Sequence, residues 1–151
     1  MAATELANTI ADALAANLNA QAWQGGTITA LGAVRDYLGE VDLDDLDDLA
    51  VTILHAPEER RPVTRGQNQK TIALGVVIQK KIDPADQPTI DALANLTAEI
   101  ADHLDRLDLA TTPPAAWIET RRPVPFEVDE LRNVALWSAA IVQTYRVHTA
   151  A

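Results

Sequence analysis

The chain contains no cysteine, which excludes disulfide bonds, thiolate metal ligands and cysteine nucleophiles. No run of about 18 apolar residues occurs, so the sequence predicts no membrane-spanning helix. The N-terminal stretch lacks a basic start and an unbroken apolar core, so no secretory signal peptide is predicted either. These absences leave a globular domain held together by its apolar core.

Basic residues are also scarce, because 12 Lys and Arg stand against 22 Asp and Glu and give a formal net charge of -10. Equilibrium binding to nucleic acid needs clustered cations on the protein surface, so this charge balance argues against it. Two interpretations stay open. The acids promote solubility through self-repulsion, or they form a surface past which nucleic acid moves without binding.

Catalytic motifs are missing as well. Ser138 is the only serine, and it lies within a strand pattern rather than in a GxSxG turn. Neither GxGxxG nor a P-loop occurs, and His55, His103 and His148 lack HExxH spacing, although His55 and His148 could meet across a sheet. Glu58 and Glu59 precede two arginines, so mutual neutralisation explains this pair better than acid catalysis. The sequence predicts no enzyme activity, no cofactor and no metal site.

An acidic, leucine-bearing segment at residues 42–49 has the sequence DLDDLDDL. An EF-hand loop starting at Asp42 would need a glycine at its sixth position and a glutamate at its twelfth. Asp47 and Ile53 stand there instead. We therefore expect a short helix that turns its leucines inward and its carboxylates to water.

Hydrophobic periodicity predicts two long helices and several strands. Leu6, Ile10, Leu14 and Leu18 recur every fourth residue, as in an amphipathic helix over residues 4–20, and a similar stripe predicts a second helix over 89–107. Alternation of apolar residues predicts strands at 27–38, 50–56, 70–82 and 134–148, with a short or edge strand at 116–122 and a turn or short helix at 127–133.

The order of the main elements is α, β, short α, β, β, α, β. Hairpin-linked strands with helices packed on them predict an α+β fold with a mostly antiparallel sheet, an extended hairpin and two main helices. The whole of 1–151 is predicted to be a single domain, with Trp137, Ile141, Ile72, Leu74, Ile90 and Leu93 in its core.

A polar loop predicted to protrude at residues 57–69 concentrates positive charge. Loops of this length are usually functional or unstructured, and a solvated loop is one alternative. The other is an arm that docks on an acidic neighbouring subunit, a heterologous contact in which charge sets the register. The hypothesis assigns the interface to Arg60, Arg61, Arg65 and Lys70, with Asp44, Asp45, Asp47 and Asp48 as the acidic counterpart.

The order of elements and several short motifs resemble the tail terminator, or tail-completion, proteins of long-tailed bacteriophages. An amphipathic helix precedes a strand that ends in Arg35-Asp-Tyr37, and an acidic turn precedes Val51-Thr-Ile53. An Arg-bearing loop, the strand IALGVVI, a helix and a terminal strand closing in Thr144-Tyr-Arg-Val147 follow. Leu38-Gly39 comes after Tyr37, where many of these relatives have a proline.

The resemblance implies a non-enzymatic virion protein at the junction of tail and neck, assembled in the host cytoplasm. Such a protein forms a hexameric ring on the major tail tube protein, stops tube polymerisation and meets the head-side connector. DNA passes through the ring without specific binding. Alternatives are another neck, head-completion or minor tail protein and, from a different class, a small enzyme or ligand-binding domain with a site built from scattered Asp, His and Arg residues.

Overall fold

The structure, a computed structural model, describes residues 6–29, 31–36, 49–55, 59–64, 67–122 and 135–150. Within these ranges the fold is α+β, as the sequence predicted. The helices and strands are α1 (Leu6–Asn19), β1 (Val34–Arg35), β2 (Ala50–His55), β3 (Glu59–Thr64), β4 (Gln67–Lys81), α2 (Gln87–Leu104), β5 (Ala116–Arg121) and β6 (Leu136–Ala150).

Strands β4 and β6 form the centre of the sheet. They are antiparallel partners along their whole 15-residue length, from Gln67 opposite Ala150 to Lys81 opposite Leu136. The strand order is β1-β2-β4-β6-β5, and β3 also pairs with β4. On its edge away from β6, β4 therefore pairs with β3 near its start and with β2 near its end.

Alternation along the strands gives the sheet one covered face. Aliphatic residues of β4 at every second position are buried, and the partner positions of β2 and β6 face the same way. Both helices lie on this face. Their stripes of fully buried residues meet the sheet, and each such side chain contributes about 1.5–3 kcal/mol to folding. The stripes comprise Ile10, Leu14 and Leu18 of α1 and Leu96, Ile100 and Leu104 of α2.

Helix α2 begins earlier than the periodicity predicted, at Gln87 rather than residue 89. The reason is an N-cap, because the Asp86 carboxylate accepts hydrogen bonds from the backbone N–H of Thr89 at 3.3 Å and from its hydroxyl at 2.8 Å. Pro88 fits the first turn, where its missing N–H costs nothing. No helix in the described ranges is long and apolar enough to cross a bilayer.

The strand predicted over residues 27–38 is wrong for most of its length. Among the described residues of this range, 27–29 and 31–36, only Val34–Arg35 is a strand, and it runs parallel to β2. Upstream, Trp23 and Ile28 close a tight turn in which Gln24 has a φ of 52° and two glycines also have positive φ. The Asn19 side chain then forms hydrogen bonds with the backbone N–H and C=O of Ala33, at 2.7 and 2.9 Å. These two backbone groups are therefore satisfied without pairing to a neighbouring strand.

The protruding loop predicted at 57–69 is a second correction. Residues 59–64 are strand β3, residues 67–69 belong to β4, and the two strands are antiparallel neighbours with Arg60 opposite Lys70. Polar side chains do not prevent pairing when the backbone groups have partners. The register shifts between Pro62 and Thr64, near the tip. The predicted elements at 42–48 and 127–133 lie outside the described residues.

Candidate subunit interface

Three strands run side by side at one end of the sheet. Strand β3, the start of β4 and the end of β6 form this segment, which we call the arm (residues 59–64, 67–71 and 146–150). Arg60 of β3 is opposite Lys70 of β4, and Arg61 is opposite Gln69. On the other edge of β4, Gln69 is opposite His148 of β6. Directly paired Cα atoms in such ladders are about 4.5–5.5 Å apart, so the register brings the backbones of these basic residues together.

The predicted interface residues fall into two groups. Arg60, Arg61 and Lys70 lie on paired strands of the arm. Arg65, Asp44, Asp45, Asp47 and Asp48 lie outside the described residues, so their contact with the arm stays a prediction.

Arg146 and His148 also belong to the arm, and sequence reasoning missed them as members. Both side chains are exposed at the end of β6. The sequence separates them from Lys70 by more than 70 positions, and only the register of β4 on β6 brings them near it. The sequence did carry one signal, the length of the terminal strand pattern. A terminal strand as long as β4 would pair with β4 along its whole length and so reach the arm.

The other face of the central strands carries small and apolar residues, and no helix in the described ranges lies on it. We call this the open face, and Leu54, Gly75, Val77, Ala140 and Val142 share it by register. All five are half-buried, while Thr52 and Ser138 towards the Lys81 end are buried. A methyl group on Gly75 would meet only the Leu54 Cβ, at 4.0 Å. The centre of the face is therefore shallow.

Charge separates between the sheet and the helices. Strands β2, β4 and β6 contain no acidic residue, and β3 contains one, Glu59. Helices α1 and α2 contain no Lys or Arg and carry Asp12, Asp91, Glu99 and Asp102. An ion pair of 2.8 Å joins Asp12 to Arg35 of β1. The six basic residues of these strands are Arg60, Arg61, Lys70, Lys80, Lys81 and Arg146.

The backbone register of the sheet separates His55 from His148. His55 is opposite Leu74, and Leu74 is opposite Gln143, which lies five residues before His148 on β6. That offset is about 17 Å along the strand, so the register keeps the backbones of His55 and His148 apart, although the sequence allowed them to meet. His103 instead bonds Asn17 of α1 through Nε2 at 2.7 Å and meets the Trp23 ring edge-on at 5.4 Å. Burial lowers the His103 pKa below 6.5.

A buried polar network fastens the end of α2 to the sheet. The Gln143 amide donates to the Leu104 carbonyl at 2.8 Å and to the Tyr145 hydroxyl at 3.0 Å, and its oxygen accepts from Thr120. The Trp117 indole donates to Thr120 at 2.8 Å. Burial raises the pKa of Tyr145 to about 12, the Gln143 hydrogen bond opposes this, and Asp108 adds to it. Every member has a partner, so the network positions α2.

A cavity of about 140 Å³ lies between the 23–28 turn, Leu49 and α2. Ile28, Leu93 and Leu96 form apolar parts of its wall, and Lys80 lies at its edge. This volume suits a group the size of benzene and is too small for a nucleotide cofactor. Within the described ranges, no three His, Asp or Glu side chains are arranged to hold a metal ion.

Comparison with known proteins adds no family assignment. No protein-family model matches the chain, and no curated protein matches it at a significant level. The function therefore has to be argued from the arm, the open face and the separation of charge.

Proposed function

We propose that this chain is a structural subunit of a phage-like particle, a tail terminator or a close relative, whose copies join in a ring on the end of the tail tube. The ring stops tube polymerisation and presents a surface to the head-side connector. The observation that carries the proposal is the arm. A hairpin of 59–81 places Arg60 and Arg61 of β3 next to the start of β4, and Lys70 of β4 in turn pairs with the end of β6, on an otherwise acidic protein.

The arm suits contact between subunits because its outer strand is an edge. Among the strands that the structure describes, β3 pairs with β4 alone. An edge strand offers backbone N–H and C=O groups that a neighbouring chain can complete by strand addition. Pro62 removes one donor near the tip, which limits uncontrolled pairing. Basic side chains on such an edge would select an acidic neighbour and fix its register.

The charge of the whole chain supports the same role. A net charge of -10 gives a ring that repels the phosphate backbone, so DNA passes through the ring without being held. The basic residues of the arm are then reserved for protein contacts.

Reversal of the arm's charge tests the proposal. The Arg60→Glu/Arg61→Glu variant should keep its Tm within about 2 °C, because the proposal assigns both arginines to the contact between subunits and not to the core, and substitutions outside the core usually change stability by about 0.5 kcal/mol or less. It should fail to cap tubes that polymerise from the major tail protein of the same particle. Tube length by negative-stain electron microscopy and ring formation by sedimentation velocity are the measurements.

The matched control is Arg106→Glu/Arg122→Glu, which makes the same change of net charge at two exposed positions outside the arm. Tubes should stop at the wild-type length with this control. Two results would contradict the proposal: wild-type protein that leaves tube length unchanged, or an arm variant that caps as well as wild type. A large fall in Tm would show that the arginines serve folding instead.

A further inference from the structure

We infer that the open face of one copy docks on the outer face of α2 of a second copy. This inference rests on the proposed function, because it names the surfaces through which neighbouring subunits would meet. The two surfaces are different, so the contact is heterologous and repeats from copy to copy. The occupant of the open face is thus a second copy of this chain.

The shapes of the two surfaces agree. The centre of the open face carries Gly75, Val77 and Ala140, which leave it shallow enough for close approach. The outer stripe of α2 is also small in its middle, with Ala92 and Asn95 exposed and Ala98 half-buried. Small residues on both sides let a helix lie closely along a sheet.

The charges of the two surfaces are opposite and lie at their ends. On the open side of the sheet, exposed Arg146 lies towards one end and exposed Lys81 at the other. On α2, exposed Asp91 lies near the start and exposed Asp102 near the end, and the helix has no Lys or Arg. A second copy therefore supplies carboxylates where the open face has cations.

The acids of α2 lie closer together than the cations of the open face, and the length of the side chains bridges the difference. Lys81 lies ten residues along β4 from Thr71, the partner of Arg146, and this offset is about 33 Å. The acids of α2 that the contact uses span about 17 Å, from Asp91 to Asp102. Long Lys and Arg side chains that lean inward close the remaining gap. One helix can reach both basic ends of one open face.

A charge exchange tests the contact. The sheet variant carries Lys81→Glu and Arg146→Glu, and the helix variant carries Asp91→Lys and Asp102→Lys. All four residues are exposed, so both variants should fold, as circular dichroism and Tm will verify. Each variant alone faces like charge across the contact and should self-associate at least ~10-fold more weakly than wild type in sedimentation equilibrium at physiological salt.

An equimolar mixture restores opposite charges at every contact, so association should return with a strict 1:1 ratio of the two variants. A single chain with all four substitutions should also associate. The control, Arg106→Glu, leaves association intact. Wild type that stays monomeric at all concentrations overturns the inference, as does a mixture that stays as weak as its components. Labelled duplex DNA that binds wild type but not the sheet variant overturns it too, because the open face would then hold nucleic acid.

The failure of this inference and that of the proposed function are distinguishable. If the sheet variant still forms rings that cap tubes, the function stands and this contact is wrong. If the charge exchange succeeds but the assemblies leave tube length unchanged, the contact stands and the function is wrong.

Discussion

The two faces of the central sheet use the same strands for different purposes. On the covered face, Leu74, Ile78 and Ile141 are fully buried beneath α1 and α2. On the open face, their chain neighbours Gly75, Val77 and Val142 are half-buried and smaller. Since successive side chains of a strand point to opposite sides, one strand supplies both surfaces. The covered face provides the stability of the fold, and the open face is the one that we infer docks on a second copy.

The largest expected difference between the faces comes from adjacent residues of β6. Ile141→Ala on the covered face should lower the free energy of unfolding by about 2–5 kcal/mol, because it removes buried methyl groups and leaves a cavity. Val142→Ala on the open face should cost about 1 kcal/mol or less. Urea unfolding of both variants measures the difference. Equal losses would mean that the open face is core as well.

A polar residue of the covered face gives the next largest effect. Gln143→Leu should destabilise the protein by about 1–3 kcal/mol, because the Leu104 carbonyl and the hydroxyls of Tyr145 and Thr120 lose a buried partner. Thr144→Val, one position along and on the open face, is the control and should be close to neutral. Chemical denaturation compares the two. A neutral Gln143→Leu would show that water replaces the lost hydrogen bonds.

The residues of these two predictions differ in how well the sequence predicted their burial. Apolar alternation identified Ile141, Ile72 and Leu74 as core, and all three are fully or almost fully buried. Ile90 was expected to be core too but is half-buried. No pattern identified Gln143, because a buried glutamine is determined by its partners, and two of these, Leu104 and Thr120, lie on α2 and β5. Those two are distant in sequence and meet Gln143 only in the folded chain.

A smaller change addresses the open face itself. Gly75→Ala should stabilise the protein by about 0.5–1 kcal/mol, because alanine loses less backbone entropy in a strand and its methyl group has room beside Leu54. Thermal unfolding measures the gain. If the open face docks on a helix, the same methyl group should weaken self-association. A loss of stability would mean that the backbone at Gly75 needs the freedom of glycine.

The smallest expected effect is a pH dependence of stability at His103, which lies between the two helices. His103 joins α1 to α2, and burial lowers its pKa below the ordinary value of 6.5. The unfolded chain then binds more protons than the folded chain, so stability is full above pH 6.5 and falls as the pH drops through the folded pKa. The free energy of unfolding of wild type and of His103→Gln is measured from pH 8 to 5. The difference between the two should change with pH as this loss of stability predicts. A difference that does not vary with pH contradicts it.

Some predictions concern the assembled particle and not the fold of one chain. The hexameric ring, the tail tube and connector as partners, and the lumen for DNA follow from the resemblance to tail terminators. The arm and the separation of charge support them, and the tube-capping experiment decides. The arginine reversal changes strand β3, whereas the charge exchange changes α2 and the two ends of the open face, one of which, Arg146, also belongs to the arm. Together the two experiments show whether the contact uses β3, the open face or both.

The sequence by itself determined the class of the fold, the two helices and the long strands, because these depend on local periodicity of apolar residues. It also determined the charge of each element, and hence the acidic helices and the basic strands. Only the tertiary structure decided that residues 59–64 are a strand and that residues 27–29 and 31–33 are not, since backbone pairing depends on the neighbours available. Register alone brought Arg146 beside Lys70 and placed small residues together on an open face. These are long-range arrangements, which no local pattern encodes.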